Sequence, residues 1–364
     1  MQLKAKDNLE YEGFNMKLTI KDIAKMAGVS PGTVSKVINR TGSLSAKTIE
    51  SVNKVIEETG YQPSFSAKTL ATKKSNLIGL IYAGDVNAEM GHPVFNQVVN
   101  SFKNIIGELG YDILIFSNTK FSQDKQDYLA RCRHFQLDGC LIIAGDKIEE
   151  AAYELDRSSI PCVGIDIELS GLTSSYVTTD NSKVSAMIVE YLYLNSIKKV
   201  GFIGGPDDSI ISNIRKGAFT QFMNNFGMTV KPNWIQHGDY FEESGYEGMK
   251  RILMKKEYPQ AMYAASDMMA LGALRALKEF GLSVPRDIMV FGCDDIEVCR
   301  YSDPPLATVK QDKEKMGELA ATILHDLING KKKSSPVLVE PELIIRESGM
   351  IYNEVNDSKE GLYE

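Results

Sequence analysis

Thr33, Ser35, Lys36 and Asn39 are of the types that hydrogen-bond to base edges and phosphates. Their spacing sets them outward on a short helix whose inward side is Val34, Val37 and Ile38. Such a set suits a DNA major groove. A second chemistry sits on isolated polar residues beside apolar runs. Asp294 ends the run DIMVFGCD, where a carboxylate can accept hydrogen bonds from two hydroxyls of one sugar ring; capping the next turn is the alternative. Arg215 offers a planar guanidinium to hydroxyls, ring oxygens or an anion, or else serves as a surface ion-pair partner. Signatures of catalysis are missing. GGPDDS lacks the G-K-[ST] of a phosphate loop, there is no G-x-S-x-G, H-E-x-x-H or G-x-G-x-x-G, and adjacent Asp207 and Asp208 should diverge rather than form an acid/base pair. His92, His134, His237 and His325 have no metal-ligand spacing and read as packing or solvent residues, while Trp234 reads as packing at a strand start. Neither cofactor nor metal is expected, and the chain is not expected to be an enzyme.

The elements that hold these residues follow from periodicity and caps. Thr19 and Asp22 open a helix over about 20–27 with Ile20, Ile23, Ala24 and Ala27 inward. Gly28 and Val29 form a tight turn, and Ser30 caps a second helix with Pro31 at its first position and Gly32 following. A third helix from Ser45 to Gly60 turns Ile49, Val52, Val55 and Ile56 inward. This is a helix-turn-helix on a supporting helix. Beyond Ser75, LIGLIYAG, YDILIF, GCLIIAG and PCVGI read as buried strands, with Phe95, Val98, Val99, Phe102, Ile105, Ile106 and Leu109 on one helix face between them. KKVGFIGG, PQAMYAAS and DIMVFGCD repeat the pattern, alternating with helices near 211–226, 242–255 and 267–280. The fold class expected is an α/β core of two doubly wound parallel-sheet lobes preceded by a small all-α helix-turn-helix domain.

Charge is divided unevenly. From Met16 to Ser75 there are ten Lys and Arg against four Asp and Glu, a net +6, which leaves −13 on the rest of a chain whose total is −7. Polyanion binding therefore belongs to the N-terminal segment. With 43% hydrophobic residues, no apolar run of membrane-spanning length and five scattered cysteines, the 364 residues suit a cytoplasmic globular protein with reduced thiols.

The string TIKDIAKMAGVSPGTVSKVIN, then Ser45-Ala46-Lys47-Thr48 and Gly60-Tyr61-Gln62-Pro63, resembles the DNA-binding headpiece of the LacI/GalR family of bacterial transcription repressors. Ala67 to Leu70, Arg215 with Ala218 and Phe219, SDMMALG from Ser266, GCDD from Gly292, Pro304-Pro305-Leu306 and Lys310-Gln311-Asp312 extend the resemblance in order over nearly the whole chain. It implies a periplasmic-binding-protein-like core whose chain crosses between lobes near 178–180, 309–311 and 339–341. The implied partition is a flexible extension or tag over 1–15, the helix-turn-helix domain over 16–63, a hinge and linker over 64–75, the effector-binding core over 76–349 and a polar tail over 350–364. Within the core, the N-lobe takes about 76–179 and 310–340, and the C-lobe about 180–309 and 341–349.

The resemblance carries residue roles with it. Thr19, Ser30, Pro31, Gly32, Thr33, Ser35, Lys36, Asn39, Ala67 and Leu70 would contact DNA, with Leu70 wedging into the minor groove. Phe95, Asp166, Arg215, Tyr240, Ser266, Asp294 and Gln311 would contact the effector, Phe95 and Tyr240 by ring stacking unless they serve the core. The partners implied are palindromic double-stranded operator DNA, a second copy of the chain and a small effector, with no membrane. A carbohydrate, as sugar or sugar phosphate, is the effector expected; a nucleobase, a nucleoside or a phosphoprotein co-effector is the alternative. A sugar-processing enzyme fused to a DNA-binding module is the rival class. Pro31 and Gly32 stand where family members carry longer base-reading side chains, which leaves Lys36 as the obvious specificity donor. The end of the chain has no leucine heptad, so no tetramerising coiled coil is expected.

Overall fold

The computed structural model describes residues 18–62, 69, 72–84, 93–116, 127–145, 147–331 and 335–351. The expectations for residues 1–15, for Ala67 and Leu70 of the hinge, for His92 and for the tail beyond 351 lie outside the described residues. The chain divides into two compact units, Met1–Ser75 and Asn76–Glu364.

In the first unit, α1 (Ile20–Ala27), α2 (Pro31–Ile38) and α3 (Ala46–Thr59) enclose Ile23, Ala24, Val34, Val37, Val52 and Tyr61. Both ends of α1 are fixed locally. The Asp22 carboxylate accepts hydrogen bonds from the Thr19 amide at 2.9 Å and the Thr19 hydroxyl at 2.7 Å, which holds its carboxyl below the usual carboxylate range. Gly28, at φ 66°, takes the left-handed turn that brings α2 back across α1. Ser30 Oγ accepts from Thr33 N at 3.1 Å and caps α2, with Pro31 leading the first turn. Ile49, expected inward, is 39% exposed. The two eight-residue helices are about 12 Å long and the 14-residue α3 about 21 Å, so the contact centres on Val52 and leaves the first turn of α3 uncovered.

The second unit holds two six-stranded sheets among the described residues. The N-lobe is built from β1 (Leu77–Ala83), α4 (Pro93–Glu108), β2 (Asp112–Ile115), α5 (Tyr128–His134), β3 (Gly139–Ala144), α6 (Glu150–Asp156), β4 (Cys162–Ile165) and β5 (Ser174–Thr179). The C-lobe adds α7 (Asn181–Leu194), β6 (Val200–Gly204), α8 (Ile210–Asn225), β7 (Ile235–His237), α9 (Glu242–Leu253), β8 (Ala261–Ala264), α10 (Asp267–Glu279), β9 (Met289–Asp294) and β10 (Ala307–Lys310). The chain then returns to the first lobe as α11 (Lys313–Ile328) and β11 (Val337–Val339), and ends in the second as β12 (Glu342–Ile344). Strand orders are β11-β5-β4-β3-β1-β2 and β12-β10-β9-β8-β6-β7, every pair parallel except β10 with β12.

The apolar runs become strands because both sheet faces are covered. β1 buries Ile78 and Leu80 under α4 and α11, while Ile81 and Ala83 face the opposite cluster with Tyr128 and Leu155. On α4 the buried stripe is Val94, Val98, Phe102 and Ile106. Leu109 leaves it, 39% exposed, because the helix stops at Glu108 and the chain turns at Gly110. Val94 reaches the core of the C-lobe, so the first turn of α4 links the two lobes. Trp234 is buried, its indole N–H donating to Glu257 O at 3.0 Å, which is the packing role expected. His134 and His325 make edge contacts with Phe135 and Tyr111. No helix among the described residues is long and apolar enough to cross a membrane.

Candidate functional site

Carboxyl ends of strands from both sheets face one cleft, and the polar residues there are held from behind by apolar anchors. Arg215 is the sixth residue of α8. One turn further on, Phe219 is fully buried and stacked on Phe202 with ring centroids 5.1 Å apart, which fixes the helix and so the guanidinium. Arg215 is itself buried. Its Nε donates to Asn181 Oδ1 at 2.8 Å and its Nη1 to the Ala265 carbonyl at 2.6 Å. The full planar fork expected from the sequence is thus partly used inside the protein, and Nη2 is the guanidinium nitrogen with no hydrogen bond among the described residues. Asn181 in turn donates to Thr179 O at 3.0 Å, and Thr178 donates to Asp166 Oδ1 at 2.6 Å. The polar network thereby passes from the C-lobe helix to the end of β4.

Asp294 stands at the opposite wall. It is buried at the last position of β9, with its φ of 132° followed by a φ of 55° at Asp295. Two consecutive residues in this region cost about 1–3 kcal/mol each and persist only where surroundings enforce them. The enforcing contacts are visible. Asp295 is clamped by Arg346 at 2.6 Å, and Arg346 also donates to Leu306 O at 2.9 Å. Asp267, wholly buried, accepts from the Ile296 amide at 2.9 Å and the Thr308 hydroxyl at 2.5 Å. Its Oδ1 lies where a side chain on Gly292 would start, 2.1 Å from the Cβ position, so that strand position admits only glycine. In front, Gln311 Nε2 donates to Asp294 Oδ1 at 2.6 Å, and Lys313 at the start of α11 donates to the Asp294 carbonyl.

Burial pushes the Asp166 carboxyl above its usual range, with the Thr178 hydrogen bond and the Arg215 charge opposing it. The Asp294 charge acts on both Asp166 and Arg215. Arg215 nevertheless forms no ion pair within 4 Å of either carboxylate among the described residues. The gap between them is the space a ligand would bridge.

Tyr240, at φ 70°, lays its ring against Gly205, whose Cβ position is 2.2 Å from the ring, and its hydroxyl meets Ser209 Oγ at 2.8 Å. Ser266 donates to the Tyr240 carbonyl at 3.0 Å and accepts from Met269 N at 3.2 Å, so its hydroxyl holds Tyr240 and caps α10. Phe95 is half-buried on the N-lobe core in the first turn of α4. Asp207 and Asp208 diverge, one toward His237 and Lys216 and the other toward Lys147. No group of three or more acidic, Cys or His side chains suited to a metal occurs among the described residues.

Sequence reasoning did not single out Asn181, Asp267 or Lys313. Asp267 lies within the motif SDMMALG without a role given to it, Lys313 borders the motif ending at Asp312, and Asn181 follows the helix cap Asp180. On the DNA-reading side, Thr19, Ser30, Pro31, Gly32, Lys36 and Asn39 are exposed, with Thr33 and Ser35 partly covered. Thr19 is spent on Asp22, Ser30 and Thr33 hydroxyls pair at 2.9 Å, and Asn39 leans on Ser35 at 3.3 Å. Lys36 has no ion pair among the described residues, its stem running beside Gly42.

Residues 19–64 match the model for bacterial regulatory proteins of the lacI family, and residues 189–349 match a periplasmic binding protein-like domain. The HTH-type transcriptional repressor PurR of Pasteurella multocida (strain Pm70) is 32% identical over 332 residues, covering 91% of this chain and 98% of that protein. PurR of Serratia proteamaculans (strain 568) is 36% identical over 336 residues, covering 91% and 96%. Among solved structures, the lac repressor dimer bound to operator and the anti-inducer ONPF aligns with a TM-score of 0.78 at 26% identity, covering 92% of this chain and 99% of that one. The CelR–cellobiose complex aligns at 0.69 and 27% identity, covering 91% and 100%. The chain belongs to the lacI family of bacterial regulatory proteins. It is a DNA-binding transcription regulator with an effector-binding core, and its architecture of two parallel-sheet α/β lobes behind a helix-turn-helix is the one expected from the sequence.

Proposed function

We propose that the protein is a homodimeric transcriptional repressor that reads a palindromic operator through α2 and is controlled by a small carbohydrate bound between its lobes. The reading rests on how hydrogen-bonding capacity is divided in the cleft. Asp294 Oδ2, Asp166 Oδ2 and Gln311 Oε1 have no protein partner among the described residues, against a single open guanidinium nitrogen on Arg215. A ligand there must mostly donate and somewhere accept, as the hydroxyls of a sugar ring do. A phosphate would face two carboxylates, so a neutral sugar fits better than a sugar phosphate. Tyr240 and Phe95 supply ring faces for the C–H side of such a ligand.

Operator reading falls to residues 16–63, with Ala67 and Leu70 of the hinge at 64–75 contacting DNA as well and Leu70 forming the minor-groove wedge. One headpiece offers too small a base-reading surface for useful selectivity, so two are joined through the core. The name of the lac repressor complex, a dimer on its operator, supports this assembly, and that of the CelR complex supports a sugar. A thermal-shift screen over neutral sugars, sugar phosphates and purines tests the effector class, since a ligand at 100 times its Kd stabilises by about 2.7 kcal/mol. A shift with neutral sugars is expected; a shift with purines alone would replace the carbohydrate by a nucleobase.

A further inference from the structure

We propose that residues 352–364 dock on the amino end of the C-lobe sheet, away from the cleft, through carboxylates on lysines around a small apolar contact. Six basic side chains gather at that end. Lys198 and Lys199 lead into β6, Lys231 precedes β7, Lys255 and Lys256 precede β8, and Arg286 precedes β9. Gln260 ties these turns together. Its Oε1 accepts from the Lys198 and Lys199 amides, both at 3.1 Å, its own amide donates to Lys199 O at 2.8 Å, and its carbonyl accepts from Met289 N at 2.9 Å. Lys231 pairs with Glu257 and Arg286 with Asp287, whereas Lys198, Lys199, Lys255 and Lys256 are exposed and form no ion pair among the described residues. Unpaired like charges on adjoining turns repel one another and attract an acidic segment. Leu194, Met254 and Tyr258, on the same turns, are exposed apolar side chains.

The chain leaves the described residues beside this face. Ser348 Oγ donates at 2.6 Å to the carbonyl of Val290, the second residue of β9, and Tyr191, three residues before Leu194 on α7, donates to Gly349 O at 3.0 Å. Ile351 packs on the C-lobe core. The thirteen residues that follow, YNEVNDSKEGLYE, set Glu354, Asp357, Glu360 and Glu364 against the single Lys359 and add the apolar Tyr352, Val355 and Leu362. Fully extended they reach about 40 Å, whereas a six-stranded sheet is about 24 Å across. Length is therefore no obstacle. Outside residues 16–75 the chain carries −13, so an acidic segment meets repulsion over most of the core and attraction at this end. Its tether also holds it at an effective concentration on the order of millimolar, ahead of any separate acidic partner.

The test treats full-length protein with a water-soluble carbodiimide, which joins a carboxylate to an amine only where the two touch. Mass spectrometry should find amide links from the carboxylates of residues 354–364 to Lys198, Lys199, Lys255 or Lys256. Mixed ¹⁴N and ¹⁵N chains should place those links within one chain, and molar salt should cut their yield at least fivefold. In a second arm, truncation after Ile351 should raise the acetylation rate of the four lysines by an N-hydroxysuccinimide ester at least threefold, with the exposed Lys103 of α4 unchanged. The triple variant Glu354→Lys/Asp357→Lys/Glu360→Lys, which alters nothing in the core, should raise it equally. Links that avoid these lysines, links formed only between two chains, or acetylation that neither truncation nor charge reversal alters would each overturn the proposal.

Discussion

Two carboxylates 27 residues apart in sequence divide the work in the proposed site: Asp294 would present an oxygen to the ligand, and Asp267 holds the backbone that carries it. Asp294→Ala should abolish the sugar-induced thermal shift while leaving operator affinity without sugar unchanged, read by melting and by operator titration; a retained response would remove Asp294 from the site. Asp267 makes a prediction in pH. Burial, followed by the nearby Asp294 charge, pushes its carboxyl up from the usual carboxylate range to about 7. Because the folded value is the higher one, the neutral acid is favoured by folding. Its contribution is complete below about pH 4 and is lost as pH rises through about 7. Urea unfolding should therefore show that this group lowers stability at pH 8 relative to pH 6. Asp267→Asn, unable to ionise, should reduce that difference, and an unchanged pH slope would assign it to another group.

At the scale of elements, α2 carries the sharpest expectation. Lys36→Ala should weaken operator binding by about 1–3 kcal/mol if its ammonium reads a base edge, with discrimination lost at one operator position. Uniform weakening over all single-base operator variants would show a phosphate contact instead. α2 was legible because its signals are local: a cap at Ser30, Pro31 behind it and apolar residues at helical spacing. β1, β3, β6 and β9 were legible as unbroken apolar runs. By contrast β5, β10 and β12, with the sequences SSYVTT, ATVK and ELI, mix polar residues into short segments, and only family motifs pointed near them. The same holds at the site. Asp294 and Arg215 were visible from strand end and motif, but Asp267 acquires its role from Thr308, 41 residues away, and Asn181 from Arg215, 34 away. Such roles exist only once the tertiary contacts form.

For the whole molecule, the division at residue 75 predicts separable functions. Deleting residues 1–75 should leave a folded core that keeps its sugar response and loses specific operator retardation; specific binding by the remainder would contradict the assignment of DNA reading to the headpiece. Leu70 is an apolar residue in the lysine-flanked sequence expected to form the hinge. Leu70→Ala should reduce operator bending and specific affinity while sparing non-specific DNA binding, as gel mobility on permuted operator fragments would show. Parent-like bending would reject the wedge.

The order of strands also sets an order in time. The N-lobe sheet has β11 at its edge, beside β5, and α11 packs across its face, yet both are made after every C-lobe strand but β12. A growing chain therefore holds an unfinished first lobe, with β5 unpaired on one side and apolar residues uncovered where α11 will lie, until synthesis passes Val339. The three-helix headpiece closes its own core by Tyr61 and needs nothing further downstream. At about 5–20 residues per second, the interval between the two events is on the order of tens of seconds. During that interval the nascent chain carries a finished reader of DNA tethered to a sensor whose first lobe is still open at β5.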